Sequence, residues 1–303
     1  LLGFDCYSNF VLDENMANNS QTVMDFLNNL WGYSLENAKK EAAELQKIMD
    51  KEGKGEKLAA WDWWYYAEKL RQEKYDLNED EIKPYFSLED VRSGLYTVAN
   101  KLYGITLTEL NDVPVYEPDV KVYEVKDADG SFLGLFYADY FPRAGKRGGA
   151  WMRNFREQAG EVRPLIYNVA TVLETREVIP DELITKIQNQ GTFNQGFMTT
   201  ELLAAALLDM ELHNLTDTDN LNAVAFEKET MDKLGLIPEI APRYRATYFS
   251  HIIGGYAAGY YSYLWAEVLD TDAFEAFKEH GVFDKNTADS FRKNILEKGG
   301  TED

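Results

Sequence analysis

The run Ser250 to Trp265, SHIIGGYAAGYYSYLW, gathers a histidine, three glycines and four tyrosines into one short stretch, and no other part of the chain concentrates polar chemistry so strongly. A helix from about Tyr256 would put Tyr256, Tyr260 and Tyr263 at i, i+4 and i+7 on one stripe, and Tyr261, Leu264 and Val268 on another. One stripe would enter the core and the other would face a cleft. The same spacing is also what a wholly buried helix presents, since a core tyrosine needs only one partner for its hydroxyl. Gly254 and Gly255 precede the stripes, and glycine admits backbone shapes closed to other residues and lets a ligand approach the main chain. The pair therefore suits a hinge or a substrate-lining loop.

A chain of 303 residues, 45% hydrophobic and 14% aromatic, is large enough for a substantial core in one large or two smaller domains. Its formal net charge of −21 argues against nucleic acid and anionic membrane surfaces as partners, because both reward clustered Lys and Arg. The longest apolar stretch, about Leu202 to Leu208, is far too short to span a bilayer. No charged-then-apolar leader precedes the first helix, so a cytoplasmic location is expected, with the periplasm as the alternative if a leader has been removed. Cys6 is the single cysteine, which excludes an intrachain disulfide and a cysteine-based metal site.

The expected fold is mainly α with one small antiparallel β hairpin or sheet. Residues 1–75 read as helices, with Trp61, Trp64, Tyr65 and Glu68 spaced as an aromatic packing face. LNEDEIKP, Leu77 to Pro84, reads as a solvated turn, and Ser87 opens a helix to about Leu102. KVYEVKDADGSFLGLFYADYF alternates apolar and polar residues on both sides of Asp129-Gly130, a strong hairpin signal. Further helices are expected over Thr199 to Leu215, Asn220 to Leu234, Asp272 to Glu279 and Asn286 to Leu296. PRAGKRGGAWM, Pro142 to Met152, is basic and glycine-rich, but Arg147 follows the Gly-Lys where a phosphate-binding loop needs Ser or Thr.

The chemistry open to the chain is limited by its histidines, which are His213, His251 and His280 alone. None is followed by Glu, and no pair is four residues apart, so the H-E-x-x-H arrangement of a zinc peptidase is absent. No G-x-S-x-G occurs, and adjacent Ser250 and His251 would point to different sides of any helix. His213, near a helix C-terminus, is best explained by the helix-end field and a hydrogen-bonded partner.

AxRYRxxYFSHIxGGYAAGYYSYLWAEVLDxDAF, read from Ala241 to Phe274, resembles the substrate-binding segment of the thimet oligopeptidase, oligopeptidase A and peptidyl-dipeptidase Dcp family of zinc metallopeptidases, nearest its Dcp branch. LAAWDWWYYAEKLRQEKYDL resembles the start of that family's catalytic domain. The resemblance implies a helical metallopeptidase-like fold, short peptides as partners, and His251, Tyr256 and Tyr263 as the groups reaching the scissile carbonyl. It further implies that Gly254, Gly255 and Tyr260 contact substrate, and that Tyr140 to Trp151 forms a wall of the groove.

The likeness falls into two blocks, 1–170 and 171–303, taken as parts of one catalytic domain. VRPLIYNVA, Val162 to Ala170, resembles the segment leading to the family's zinc-binding helix, and EVIPDELITKIQNQGTFNQGF, from Glu177, resembles a segment well beyond it. Only TVLETR stands between them, so the helices bearing H-E-x-x-H and the third, glutamate ligand have no counterpart. Zinc is the family's cofactor, and none is expected for this chain as it stands. Two functions remain: a portion of a peptidase that hydrolyses short peptides, inactive as a continuous chain, or a relative that binds peptides or proteins without cleaving them.

Overall fold

Apolar residues every third or fourth position, with few helix breakers, make most of this chain helical. The structure is a computed structural model that describes residues 2–53, 55–146, 151–156, 165–169 and 180–298. In chain order its elements are α1 (Tyr7–Leu12), α2 (Ser20–Lys51), α3 (Trp63–Tyr75), α4 (Glu79–Ile82), α5 (Leu88–Tyr103), β1 (Thr106–Leu110), β2 (Lys121–Lys126), β3 (Phe132–Asp139), β4 (Trp151–Arg156) and β5 (Leu165–Val169). Then follow α6 (Asp181–Asn189), α7 (Gln195–His213), α8 (Ala223–Leu234), α9 (Ser262–His280) and α10 (Lys285–Phe291). The contacts divide the chain into two compact units, one of Leu1–Leu77 with Ile184–Asp272, the other of Asn78–Leu183 with Ala273–Glu302. These units are not the sequence blocks, since each draws on both.

The first unit is built on α2 and α7. Asn19 caps α2 by accepting the Thr22 N–H at 2.9 Å. Val23, Leu27, Trp31, Leu35, Ala38, Ala42 and Leu45 then form its buried stripe. Against it lies α7, whose residues Leu203 to Leu208 and Met210 are wholly buried. Gly196 is where the two backbones meet, because a Cβ there would come 2.6 Å from the Ala38 nitrogen. The Glu41 carboxylate accepts the Gly196 and Phe197 N–H groups at 2.8 and 2.7 Å, satisfying the start of α7.

One expectation about this unit is corrected. The aromatic face Trp61, Trp64, Tyr65 and Glu68 is not the packing face: Trp61 is 85% exposed and Trp64 60%. The buried stripe is shifted along the chain, to Trp63, Tyr66, Ala67 and Leu70. WDWWYY supplies aromatic residues to both stripes, so helical spacing fits either. Partners decide. The Trp63 ring stacks on Phe197 at 4.5 Å, and its Nε1 donates to Asn194 Oδ1 at 2.8 Å.

In the second unit Ser87 caps α5, accepting the Asp90 N–H at 3.0 Å, and Gly104 closes it at φ +74°. The expected hairpin is present as β2 and β3, turned by an Asp127 to Ser131 loop with Gly130 at φ +83°. It is the centre of a larger sheet than the sequence announced, five strands in the order β1-β2-β3-β5-β4, with β3 and β5 parallel and the other pairs antiparallel. Tyr123, Ala138 and Tyr140 form a small core with Leu88 of α5. The Arg292 guanidinium ties the hairpin loop to the turn after α10 through Asp127, and that bond holds the Asp127 carboxyl down at about 2.

The solvated turn expected at Leu77 to Pro84 contains the short α4 and a 3-10 turn, Lys83–Tyr85. Asp272 to Glu279 is not a separate helix but the later part of the continuous α9. Among the described residues no helix is long and apolar enough to cross a membrane.

Trp63→Ala should cost about 3–5 kcal/mol, the usual penalty for emptying a buried tryptophan site. Trp61→Ala, at a solvated position, should stay within about 0.5 kcal/mol. Urea unfolding followed by far-UV circular dichroism measures both; equal losses would show that the packing face has been misassigned.

Candidate functional site

The helix expected from Tyr256 begins later, at Ser262, and the tyrosine-bearing stretch before it is a 3-10 turn, Ser250–Ile253, followed by a run of tight turns. The cause is a buried carboxylate. Asp209, on α7 and wholly buried, accepts the Ala258 N–H on Oδ1 at 3.0 Å and the Tyr260 N–H on Oδ2 at 2.9 Å. Those two N–H groups flank Gly259, and Ala258 takes the left-handed conformation at φ +53°. A continuing helix would have consumed both donors in its own ladder, so the carboxylate replaces helical bonds with a folded loop. His213, one turn along α7, brings Nδ1 to 2.8 Å from Asp209 Oδ1 and 2.8 Å from the Asp209 backbone oxygen. Burial pushes the His213 imidazolium down, and the Asp209 oxygens outweigh it to hold the net value above the ordinary one.

This loop gathers the aromatic residues. Tyr256 and Tyr263 stack with ring centres 5.3 Å apart and planes 10° apart, and Tyr260 meets Tyr263 edge-on at 5.0 Å. The His251 ring lies 5.9 Å from Tyr256, 5.4 Å from Tyr260 and 4.8 Å from Tyr244. His251, Tyr256, Tyr260 and Tyr263 therefore form one cluster. Their exposure divides them: Tyr256 and Tyr263 are 39% and 41% exposed, whereas Tyr260 is 3% exposed and backs the stack from the core side. Tyr261 and Leu264 are also core, while Val268 of the expected second stripe is exposed. Gly254 and Gly255 are exposed, with nothing within 4 Å of where a Cβ would stand.

The His251 imidazole has no hydrogen-bond partner among the described residues, and its Nδ1 is buried without one. Burial, with the neighbouring Tyr256 hydroxyl, pushes the Tyr263 phenol up to about 12, so it is a neutral donor across the physiological range. Burial raises Tyr260 further still.

Tyr140 to Lys146 and Trp151, the expected groove wall, belong to the second unit, and residues 147–150 lie outside the described residues. Tyr140 is buried in the core of that unit. The described basic groups of the stretch are occupied: Asp139 receives both Arg143 amino groups, at 2.8 and 2.9 Å, and Lys146 Nζ at 3.0 Å. Residues 171–176, the junction of the two blocks, also lie outside the described residues.

The donor set does not fit zinc. His213 is committed to Asp209, His280 Nδ1 faces the Ala276 oxygen at 2.9 Å, and His251 sits among rings rather than carboxylates. No group of three His, Cys, Asp or Glu that could hold a metal ion occurs among the described residues. Two groups at the cluster were absent from the sequence reading, Asp209 and Tyr244. A lone acidic residue in the apolar run LLAAALLDM, four residues before a histidine, was the available signal for the first.

Asp209→Ala should cost about 3–5 kcal/mol, as removing one partner of a buried charged network does, and should abolish the near-ultraviolet signal of the stacked tyrosines. The His213 contribution has a defined pH sign. A folded value raised above 6.5 gives stability that is complete below 6.5 and lost as pH rises through the folded value. Between about pH 6 and about pH 9 the melting temperature of the natural chain should therefore fall relative to His213→Gln. Parallel curves would remove the Asp209–His213 pair from the account.

A dipeptidyl carboxypeptidase of Salmonella typhimurium is 35% identical across 100% of this chain and 56% of its own length. The Escherichia coli dipeptidyl carboxypeptidase gives the same identity and shares, and oligopeptidase A of Escherichia coli is 30% identical over the same shares. The chain thus spans little more than half the length of these relatives. The alignment with the Salmonella protein runs over 381 positions against 303 residues here, so the relative carries sequence without a counterpart in this chain. The sequence model of Peptidase family M3 matches residues 1–173 and 165–303, dividing where the two blocks of likeness meet. Matched from end to end in those two stretches, this chain belongs to Peptidase family M3.

Proposed function

We propose that this chain is a portion of a zinc metallopeptidase acting on short peptides, in which it supplies the groups that hold the substrate carbonyl, and that as a continuous chain it binds peptide without hydrolysing it. The observation carrying this reading is the cluster itself. A histidine imidazole without an internal hydrogen-bond partner and two half-exposed tyrosines meet in one cluster, in a segment held by a buried carboxylate. Fixed donors of this kind suit a peptide carbonyl and the oxyanion that develops from it. The relatives are named as peptidases, a dipeptidyl carboxypeptidase and an oligopeptidase A.

Activation of the attacking water is a separate requirement, and zinc meets it in the family by lowering the pKa of bound water. With three histidines at 213, 251 and 280, this chain lacks the ligand spacing for that step. The oxyanion donors are left with a ground-state carbonyl to grip. A non-catalytic peptide- or protein-binding relative is the second reading, and the missing ligand helices favour it if the polypeptide is continuous between Ala170 and Glu177.

The test uses the purified chain with its mass confirmed for all 303 residues. A fluorescent short peptide should bind and remain uncleaved with added zinc. Tyr263→Phe and Tyr256→Phe should each weaken binding by about 2- to 10-fold, the range for one neutral hydrogen bond. Stoichiometric zinc with chelator-sensitive cleavage would overturn the inactivity, and unchanged affinity in both variants would overturn the site.

A further inference from the structure

The sheet of the second unit ends on one side at β1, which pairs with β2 and with no other described strand. Alternate N–H and C=O groups of an edge strand point away from the sheet, and on that side those of Thr106–Leu110 have no partner among the described residues. Proteins ordinarily blunt such an edge with charged side chains, proline or a bulge. The opposite edge, β4, is blunted in this way: it carries Arg153 and Arg156, and its register with β5 shifts between Asn154 and Arg156. By contrast β1 reads Thr-Leu-Thr-Glu-Leu, pairs in unbroken register, and has its single charge, Glu109, engaged by Lys121 of the neighbouring strand at 3.3 Å. Beside it runs a groove of about 480 Å³, lined by Ser93, Thr97 and Asn100 of α5 and by Leu107 and Glu109 of β1. The helix contributes from Glu89 to Asn100, about 16 Å of axis, and a strand of 5 residues such as β1 is about 17 Å long, so the groove has the length of one strand. Its floor is Tyr96 and Tyr123, edge-on at 5.2 Å, whose hydroxyls are buried without a hydrogen-bond partner. Native cores rarely leave two such groups unmet.

We propose that the groove between α5 and β1 is a docking site for an extended basic segment of a partner polypeptide, which adds as a sixth strand to the free edge of the sheet. An extended backbone is the occupant whose donors and acceptors match a strand edge along its whole length, while its inward side chains enter the groove and its outward ones stay in water. The sign follows from charge. The cations at the rim, Arg92 and Lys121, are paired with Glu89 and Glu109, and the chain carries a net −21, so a basic segment is attracted and a second copy of this chain is repelled. None of these residues belongs to the tyrosine cluster, and the docking site stands independently of the function proposed above.

Binding of a blocked hexapeptide of alternating valine and lysine to the whole chain, followed by hydrogen exchange of the backbone amides, tests this. The peptide should bind with an affinity that falls as salt is added, and at saturation it should slow exchange within Thr106–Leu110 by about 10-fold or more. A version N-methylated on the amides of its pairing edge should bind about 10-fold or more weakly, and so should the same peptide with glutamate for lysine. Thr97→Trp, which fills the groove from an exposed position, should weaken binding to the same degree with an unchanged melting temperature, whereas Leu95→Trp, exposed on α5 outside the groove, should not. Tyr263→Phe should leave this binding as it is, so that failure of the edge site and failure of the tyrosine site are read separately. Equal binding of the N-methylated peptide would overturn strand addition, and equal binding of the glutamate peptide would overturn the basic partner. Protection confined to other strands, or no binding at all, would overturn the site. Protection of Thr106–Leu110 that grows with protein concentration in the absence of peptide would overturn the partner in favour of a second copy of the chain.

Discussion

A single buried carboxylate sets the shape of the histidine and tyrosine cluster. Asp209 sits in the most apolar helix of the chain, among neighbours with no exposure at all. An isolated charge there would be costly, so it is retained only because each oxygen has a backbone donor and Oδ1 also has the His213 nitrogen. The donors lie on either side of Gly259, and satisfying them prevents the loop from winding into α9 before Ser262. Had the helix begun at Tyr256, Tyr256 and Tyr263 would lie two turns apart along one face; in the loop they stack. The arrangement of the cluster is therefore a consequence of hydrogen-bond accounting in the core beneath it.

The second unit uses the same device at a different place. Asp139, at the end of β3, is nearly buried and is surrounded by Arg143, Lys146 and the Tyr116 hydroxyl. Burial pushes its carboxyl up, and the hydrogen bonds from Arg143, Lys146 and Tyr116 outweigh it, so the group stays charged. These bonds fold residues 140–146 back onto the end of the strand. Arg143 and Lys146 are thereby committed to an internal carboxylate, which disfavours an anion site at these two residues beyond the mismatch of motif.

Much of this was legible in the residues. The Ser87 cap, the Gly104 stop and the Asp-Gly hairpin are local signals, and local hydrogen bonds settle them. The clustering of His251 with Tyr256 and Tyr263 was anticipated by their density in the sequence, though through the wrong local shape, since periodicity cannot register a carboxylate arriving from a helix some fifty residues earlier in the chain. The same limit explains α3, where Trp61, Trp64 and Tyr65 satisfy helical spacing as well as Trp63, Tyr66 and Leu70, and only partners distant in sequence, such as the Asn194 oxygen that takes the Trp63 N–H, distinguish them. Strands β1, β4 and β5 carry no clean alternation, and the parallel pairing of β5 with β3 passes over β4, which no local signal announces.

The cluster draws on a narrow part of the chain. Asp209 and His213 come from α7, and Tyr244, His251, Tyr256, Tyr260 and Tyr263 from the segment running into α9, all within Ile184–Asp272 of the first unit. None comes from the neighbourhood of residues 165–173, where the family match divides. The loop's shape depends on α7, α7 depends on its packing along α2, and α2 lies in the other block of sequence likeness. Among the described residues, the hydrogen-bond partners of the tyrosine-bearing loop therefore lie away from the junction, in α7 and the core it shares with α2. The histidine pair and carboxylate that a zinc site needs are a separate requirement, which the spacing of His213, His251 and His280 does not meet, so on the proposed function holding a peptide and cleaving it rest on different parts of the sequence.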